Sequence, residues 1–540
     1  MLRFSSLPLP AEIYAMIYSH LSVNHLAAIQ KTCRQLYTIT TPYVWQSVDI
    51  ESLLRLLPGC TSELGRNPKL EIATPCPIPD SYFDRFFYYS RFVKCAKITP
   101  QFIISGSFKD DSSEVAVLAK TTGHLTLPIL REVKLTMIVN NNQRGYRDEY
   151  DDYGFWIEAL IPQEIKRISF EAYSNYNESL LQALMARAPK LSHLEFASEV
   201  RSSRFYDEVV GSSATQNVRS LQYSGSIMDP DVLQWFAEMS QLVTLELTLD
   251  QDDSEEPDIP QIDYQPEAFQ ALTTLGVFTC DHGDVAEQWN LLKQIWKTPL
   301  VNRLTCVELK LSEPIHPGTE EFDEFLSILV AHSPHISTLQ IGASGRPENF
   351  PEILVDCLSG IHQLPLQTLN LQSPIRPGAG QLLFKTLGET FAKLESLDLG
   401  TTSVEVLDLL SAHSHLPKLR YLNVGLWQTK TNREKLERTL FSKRINSFVF
   451  PAQPPYGSSL SLCFRERKST PSIRTYNLDF CDIDLLAILL AARWASIYVH
   501  GSLLADRMAA LRARVLFWQC KAYRGWEQLV DCMLKLSRRS

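Results

Sequence analysis

The sequence predicts an α/β solenoid, with parallel strands inside and helices outside, preceded by a small all-α unit. Two observations carry this prediction. A Leu-x-x-Leu-x-Leu pattern, with conservative apolar substitutions, recurs at a nearly even spacing through most of the 540 residues. Between these motifs the apolar period lengthens from two residues to about 3.6, the period of an α-helix. Each repeat is therefore expected to be one strand followed by one helix.

The first 50 residues have a different sequence pattern from the repeats. Pro10 suits the first turn of a helix, and Ile13, Ile17 and Leu21 then share one helical face. Ser22 can cap a second helix. A unit of about 40 residues buries too little surface to be very stable alone. We therefore expect this unit to complete its core on a partner.

The same residues resemble the F-box. The resemblance covers about Ser6 to Val48, and it includes the Leu-Pro-x-Glu-Ile signature and a Cys-Arg-x-Leu segment that begins at Cys33. It implies that the matching positions bind a Skp adaptor. These positions are Leu9, Pro10, Glu12, Ile13, Ile17, Leu21, Leu26, Leu36 and Trp45.

F-box proteins are substrate receptors of Skp–cullin–F-box ubiquitin ligases. The resemblance thus implies that the chain binds the Skp adaptor and, through it, a cullin, while the repeats bind a protein substrate. Such a receptor performs no bond chemistry; it brings substrate lysines close to a ubiquitin-charged enzyme. From the residues alone, a helical cap that covers the first strand of the solenoid is the alternative for this unit.

The repeated motif occurs fourteen times between Leu130 and Trp494, at a mean spacing of about 28 residues. Its alternating apolar positions predict a short strand with one buried face. One unit cannot cover its own apolar face, so neighbouring units must stack. The motifs begin at Leu130, Ile165, Leu191, Val218, Leu242, Leu272, Leu304, Ile336, Leu366, Leu394, Leu419, Ile445, Ile473 and Trp494, and a candidate fifteenth begins at Val93.

This pattern resembles leucine-rich repeat proteins of the irregular, ribonuclease-inhibitor-like kind, over roughly Val93 to Gly501. The resemblance implies a leucine-rich-repeat solenoid with inner parallel strands and outer helices. The family usually has Asn or Cys three residues after the last strand Leu, whereas this sequence has mostly other polar residues there and never Asn. The repeat count therefore stays open. An ordinary α/β domain with Leu-rich strands is the alternative.

The predicted organisation has four parts: an F-box at 1–50, a linker with the helices that lead into the repeats at 51–92, the leucine-rich-repeat solenoid at 93–502 and a C-terminal capping helix at 503–540. Three polar segments interrupt the repeats and are expected to be loops. They are Asn140–Gly154, the acidic Asp250–Asp263 and a segment of 22 residues that begins at Pro451.

The solenoid should also expose a row of strand residues. Side chains alternate across a strand, so the residue between the last two apolar positions points away from the core. Acids and amides dominate these positions. The sequence predicts a mildly acidic, hydrogen-bonding surface that prefers a basic or neutral protein segment; solvated strand residues without a ligand are the alternative. The chosen contact candidates are Glu195, Glu246, Glu308 and Asp398.

Composition argues against several other partners. The formal net charge of −9 gives no basic field of the kind that nucleic acid or anionic membranes attract. The longest clean apolar run, residues 485–492, is too short to span a membrane. The eleven cysteines include no Cys-x-x-Cys pair, which favours reduced thiols in a cytoplasmic or nuclear protein.

The sequence shows no catalytic signature. It has no G-x-S-x-G, H-E-x-x-H, P-loop or G-x-G-x-x-G motif, and the His- and Cys-containing segments at 280–284 and 332–335 fit turns. We therefore predict a non-catalytic protein with no cofactor and no metal. Two other functions stay open at this point: an interaction scaffold outside a cullin ligase, and a GTPase activator.

Overall fold

The computed structural model divides the chain into two compact units, residues 1–272 and 273–540. The described residues are 16–18, 20–58, 60–63, 69–72, 80–98, 103–104, 127–137, 160–172, 184–196, 213–225, 230–249, 268–279, 285–311, 320–343, 353–372, 375–376, 383–427, 459–464 and 496–501.

The first unit is organised around seven strands that pair in parallel and in chain order. In the last of them Leu245, Leu247 and Leu249 are buried, while the residues between them are partly exposed. This alternation is what a strand covered on one face requires. The strands are β1 (Ser47–Asp49), β2 (Cys95–Ile98), β3 (Glu132–Met137), β4 (Arg167–Ala172), β5 (His193–Phe196), β6 (Ser220–Ser224) and β7 (Thr244–Leu249).

Strand β1 arises within the small N-terminal unit. It pairs in parallel with β2, with Ser47 opposite Cys95. The carbonyl oxygen of Gln46 accepts hydrogen bonds from the backbone N–H groups of Lys94 and Cys95, at 2.9 and 3.0 Å. The parallel sheet therefore begins at Ser47, ahead of the candidate first repeat at Val93.

Helices cover one face of these strands. The ring of Trp235 lies 6.1 Å from that of Phe196 on β5, and the ring of Phe236 lies 5.4 Å from that of Tyr223 on β6. All four side chains are buried, so they join strand and helix in one core. The helices of this unit whose bounds the structure describes are α1 (Val23–Gln30), α2 (Arg34–Val44), α3 (Ile50–Leu54), α4 (Asp84–Ser90) and α5 (Pro230–Glu238), with 3₁₀ helices at Asp80–Phe83 and Ser213–Asn217. Residues 16–18 and 184–187 are helical as well.

A separate small sheet also belongs to the first unit. Cys60–Glu63 pairs antiparallel with Lys69–Ile72, which pairs in parallel with Ile103–Ile104. Its first two strands fall within the segment predicted as a linker with helices.

Among the described residues of the second unit, eight strands again pair with one another in parallel and in chain order. The α/β strand-and-helix arrangement predicted from the repeats is thus confirmed in both units, and the strand spacing fits the leucine-rich-repeat prediction. The strands are β8 (Thr274–Thr279), β9 (Cys306–Leu311), β10 (Thr338–Ala343), β11 (Thr368–Leu371), β12 (Ser396–Glu405), β13 (Tyr421–Trp427), β14 (Ser459–Phe464) and β15 (Ser496–Gly501).

Strand β14 corrects one prediction. It lies in the segment that begins at Pro451, which was expected to be a loop, and it pairs with β13 on one side and β15 on the other. Its sequence, SLSLCF, has the apolar alternation of a strand but no apolar residue three positions ahead of Leu460. The strands predicted at Ile445 and Ile473 lie outside the described residues, as does the C-terminal capping helix.

The helices of the second unit pack against one another through aromatic side chains. The ring of Trp289 lies 5.4 Å from that of Phe322 and 5.3 Å from that of Phe325, and all three side chains are buried. The helices are α6 (Val285–Trp296), α7 (Glu320–His332), α8 (Leu383–Thr390) and α9 (Val406–His415), with 3₁₀ helices at Pro299–Val301 and Val355–Ile361. A two-stranded parallel pair joins Ile353–Leu354 to Ile375–Arg376.

Helices α8 and α9 are held together at both ends. At the start of α8, the buried carboxylate of Asp408 on α9 accepts hydrogen bonds from the backbone N–H groups of Leu383 and Phe384, at 3.1 and 3.4 Å. These N–H groups have no partner within their own helix, so Asp408 caps it. Near the end of α8, Gly388 lies so close to α9 that a Cβ there would overlap the carbonyl oxygen of His415.

The close approach at Gly388 gives a stability prediction. The substitution Gly388→Ala improves helix propensity by up to about 1 kcal/mol, but it forces a methyl group against a backbone carbonyl. Overpacking of this kind costs about 1–3 kcal/mol, so we expect a lower urea midpoint of unfolding. Gly360→Ala is the matched control, because its Cβ would make an ordinary 3.5 Å contact with the Cβ of Leu326. A Gly388→Ala variant as stable as the wild type would contradict the prediction.

Candidate functional site

The N-terminal helices form a compact hairpin. Ser22 precedes α1, and its hydroxyl oxygen accepts a hydrogen bond from the backbone N–H of His25 at 3.4 Å. In α2 the side chain of Thr41 is fully buried; its hydroxyl donates to the carbonyl of Tyr37 at 2.6 Å and accepts from the amide of Gln30, on α1, at 3.2 Å. The two helices are therefore joined by a partly buried hydrogen bond.

Apolar side chains remain exposed at the start of α1 and just ahead of this hairpin. Met16 is 61% exposed, Ile17 is 44% exposed and Val23 is 52% exposed. These three are half of the large apolar residues that are strongly exposed among the described residues. Because they are exposed and close in sequence, these three side chains are candidates for contact with another protein, and we call them the apolar cluster.

The structure places the predicted adaptor-binding residues in different environments. Ile17 is exposed, Leu21, Leu36 and Trp45 are partly buried, and Leu26 is a core residue at 3% exposure. A side chain without surface can support the hairpin but cannot contact a partner. Four further predicted positions lie outside the described residues: Leu9, Pro10, Glu12 and Ile13.

Trp45 and Tyr37 connect the hairpin to α4. The ring of Trp45 lies 4.2 Å from that of Tyr89, and the Tyr37 and Tyr89 hydroxyls are hydrogen-bonded. Burial, with the hydrogen bond between Tyr89 and Tyr37 adding to it, raises the pKa of Tyr89 to about 12. We call these three side chains the aromatic seam.

The four predicted substrate contacts are divided equally between the units. In the first unit, Glu195 lies on β5 and forms an ion pair with Arg167 of β4, at 3.0 Å. Arg167 also approaches Glu132 of β3, at 4.0 Å. Glu246, on β7, is partly exposed. Adjacent cations therefore offset part of the acidity predicted for this face.

In the second unit, Glu308 forms an ion pair with Lys310 at 2.7 Å and accepts a hydrogen bond from the amide of Gln340 at 2.9 Å. Asp398 accepts a hydrogen bond from the amide of Asn423 at 2.8 Å. Burial raises the pKa of the neighbouring Tyr421, and the negative charge of Asp398 adds to the effect.

The face is thus more evenly balanced in charge than the sequence predicted. The prediction took one position per strand, whereas Arg167 and Lys310 stand two residues away from the aligned position, on the same side of their strands. The sequence alone could have predicted these cations, because positions i−2 and i+2 lie on the same strand face as position i. A reading of all exposed positions would have found both cations.

The described residues offer little for other chemistry. They include no group of three metal-ligating side chains and no helix long and apolar enough to cross a membrane. The cysteines described as free thiols are Cys33, Cys60, Cys95 and Cys306. Burial raises the pKa of Cys60, Cys95 and Cys306, so these thiols are poor nucleophiles near neutral pH.

Comparison with known proteins identifies the N-terminal segment. The F-box-like family model matches residues 7–51, so this segment is an F-box-like domain, as its resemblance predicted. F-box proteins are generally non-catalytic substrate receptors. No curated protein matches the chain.

Two solved structures show distant likeness. A protein of Bacteroides fragilis is 12% identical with a TM-score of 0.23, and the match covers 52% of this chain and 66% of that one. The Toll–Spatzle complex of Drosophila is 9% identical with a TM-score of 0.23, and the match covers 76% of this chain and 65% of that one. This chain therefore spans slightly less than two thirds of each. The fold assignment rests on the strand pairing of the two units.

The aromatic seam gives a pH-dependent prediction. In the folded state the pKa of Tyr89 is about 12, above its unfolded value of about 10. The seam hydrogen bond therefore stabilises the fold fully below about pH 10 and is lost as pH rises toward 12. We expect Tyr89→Phe to lower the free energy of unfolding by about 1 kcal/mol near neutral pH, and the difference from the wild type to shrink above pH 10.

Urea unfolding across this pH range measures the difference. Tyr88→Phe is the control, because Tyr88 is exposed on the same helix and its hydroxyl bonds to none of the described residues. Its profile should run parallel to that of the wild type. A constant difference between Tyr89→Phe and the wild type at every pH would contradict the prediction.

Proposed function

We propose that this chain is the substrate-recognition subunit of a Skp–cullin–F-box ubiquitin ligase. Residues 7–51 bind the Skp adaptor and, through it, a cullin, while the strand face of the repeats binds a protein substrate. The observation that carries the proposal is an F-box-like domain with an exposed apolar cluster. Cytoplasmic or nuclear localisation is part of the same proposal.

The apolar cluster supports adaptor docking. Met16, Ile17 and Val23 are separated by at most seven residues and lie on either side of the turn at Ser22. The free energy falls when a partner covers exposed apolar side chains and removes them from water. The partly buried Leu21 and Leu36 would extend this surface.

The receptor contributes proximity and no bond chemistry. A substrate that is bound near a ubiquitin-charged enzyme presents its lysines at a high effective concentration. This requires a fixed distance between adaptor and substrate. The F-box-like domain supplies β1 directly and packs on α4 through the aromatic seam, so in the first unit no free linker separates docking segment from strands.

The strand face offers the substrate hydrogen-bonding positions. Our proposed contacts remain Glu195, Glu246, Glu308 and Asp398. Since Glu195 and Glu308 each have a cation beside them, they would act mainly as hydrogen-bond acceptors and add little net negative charge.

The docking surface can be tested with one matched pair of variants. Ile17→Asp places a charge within the apolar cluster, and we expect it to weaken adaptor binding at least about tenfold, because a desolvated charge opposes an apolar contact. Ile129→Asp is the control, since Ile129 is 39% exposed, close to the 44% of Ile17, and lies outside the F-box-like domain. Affinity purification followed by detection of Skp adaptor and cullin gives the measurement.

The wild type and Ile129→Asp should retain both proteins, and Ile17→Asp should lose both. The signature variant Leu9→Ala/Pro10→Ala should behave like Ile17→Asp. Retention of the adaptor by all variants would remove the docking surface from the proposal. Retention of the adaptor without a cullin by the wild type would instead establish a scaffold outside a cullin ligase.

A further inference from the structure

A row of cations lies at the start of the strands of the first unit. The residue that directly precedes a strand continues the parallel register from Gln46 to Val243, through hydrogen bonds of 2.8–2.9 Å from a backbone N–H to the carbonyl of the preceding member. The two end members, Gln46 and Val243, are uncharged. The five members between them precede β2 to β6 and are Lys94, Arg131, Lys166, Ser192 and Arg219. We call these five residues the strand-start row. Four of the five are Lys or Arg.

The four cations of this row are exposed. The side chains of Lys94, Arg131, Lys166 and Arg219 form no ion pair or hydrogen bond with any described residue. Arg167, which directly follows Lys166, is by contrast paired with Glu195 on the neighbouring strand. The strand-start row therefore carries positive charge that the fold does not use.

Strand pairing spaces the row regularly. Neighbouring strands lie about 4.8 Å apart, so the row from Lys94 to Arg219 spans four strand steps, or about 19 Å. The corresponding row of the second unit has a different composition. It consists of Thr273, Thr305, Ser337, Gln367, Glu395 and Arg420.

In that second row the sole cation, Arg420, lies 3.8 Å from Glu395. The uncompensated row is therefore a property of the first unit, not a general feature of these repeats. Burial and the adjacent Arg167 lower the pKa of His193, next to Ser192, so His193 adds no positive charge near neutral pH. The charge of the surface rests on the four Lys and Arg side chains.

The geometry suits an acidic polypeptide. Alternate side chains of an extended chain recur about every 6.7 Å on one face, so several carboxylates of a segment laid across the strands can approach cations of this row. Nucleic acid fits less well, because single strands are held by bases that stack on aromatic side chains and none of the five residues of the row is aromatic.

We propose that Lys94, Arg131, Lys166 and Arg219 form a docking surface for an Asp- and Glu-rich segment of a protein substrate. The inference rests on the proposed receptor function and assigns it a substrate class. It differs from the basic or neutral segment predicted from the sequence, because that prediction considered the aligned position within each strand and not the residue ahead of it.

Binding of a labelled peptide of alternating Glu and Ser to the full chain, measured by fluorescence anisotropy at low ionic strength, tests the surface. We expect Arg131→Gln/Lys166→Gln/Arg219→Gln to raise the Kd about tenfold, since three exposed ion pairs are lost and each alone is weak. The control Lys297→Gln/Lys393→Gln/Lys418→Gln removes three exposed charges from the second unit and should bind as the wild type does.

The conservative variant Arg131→Lys/Lys166→Arg/Arg219→Lys keeps the charge and should also bind normally, which separates loss of charge from loss of folding. Equal affinity of the wild type and the Gln variant would overturn the proposal. So would the absence of peptide binding by the wild type, stronger binding of a Lys and Ser peptide, or tighter binding of a single-stranded RNA than of the acidic peptide.

Adaptor co-purification, measured on the same variants, keeps the two proposals apart. Normal adaptor binding with unchanged peptide affinity in the Gln variant would refute the acidic-segment surface alone. Peptide binding that needs the strand-start row, in a wild type that retains no Skp adaptor, would support the surface and refute the receptor function on which the substrate assignment rests.

Discussion

Backbone pairing between neighbouring parallel strands is the interaction on which the strand face and the strand-start row both depend. A single strand and helix cannot bury its apolar face, so each repeat is stable only beside the next. In the first unit β2 to β6 pair without a register shift. Residues that are separated by about 25–40 positions in sequence consequently stand about 4.8 Å apart. The same constraint that forms the core therefore arranges the exposed residues in rows.

The F-box-like domain takes part in this arrangement. Its last residues form β1, whose pairing with β2 extends the sheet of the first unit, and its helix α2 contributes Tyr37 to the aromatic seam with Tyr89 of α4. A helical cap and a docking domain are thus not exclusive alternatives, because the segment covers the first strand of the repeats and still exposes Ile17. The residues of the exposed apolar cluster lie at or ahead of the start of α1, and none of them is a β1 residue that pairs with the sheet.

The sequence predicted most strands because a buried strand face leaves a strong alternating pattern. It missed β1, which has only three residues, and β14, which lies among Pro, Gly and Ser residues that suggested a loop. The F-box signature located the N-terminal domain, but burial within it could not be read from a motif: Ile17 and Leu26 both match, yet one is exposed and the other is in the core. Ion pairs such as that of Glu195 with Arg167 join neighbouring strands that are distant in sequence. The sequence of one strand therefore does not predict them.

The net charge of the chain did not predict the positive charge of the strand-start row, because that charge also depends on residues that strand pairing brings together. Mobile ions screen exposed charges beyond about 8 Å at physiological ionic strength, which is less than half of the roughly 19 Å length of the strand-start row. A ligand at Arg131 therefore responds to Lys94 and Lys166 on the adjacent strands far more than to the acids elsewhere that make the chain negative overall. In a repeat fold, the position within the repeat decides which charges become neighbours. The sign of a binding surface then follows from one row of equivalent positions, and it can oppose the sign of the whole protein.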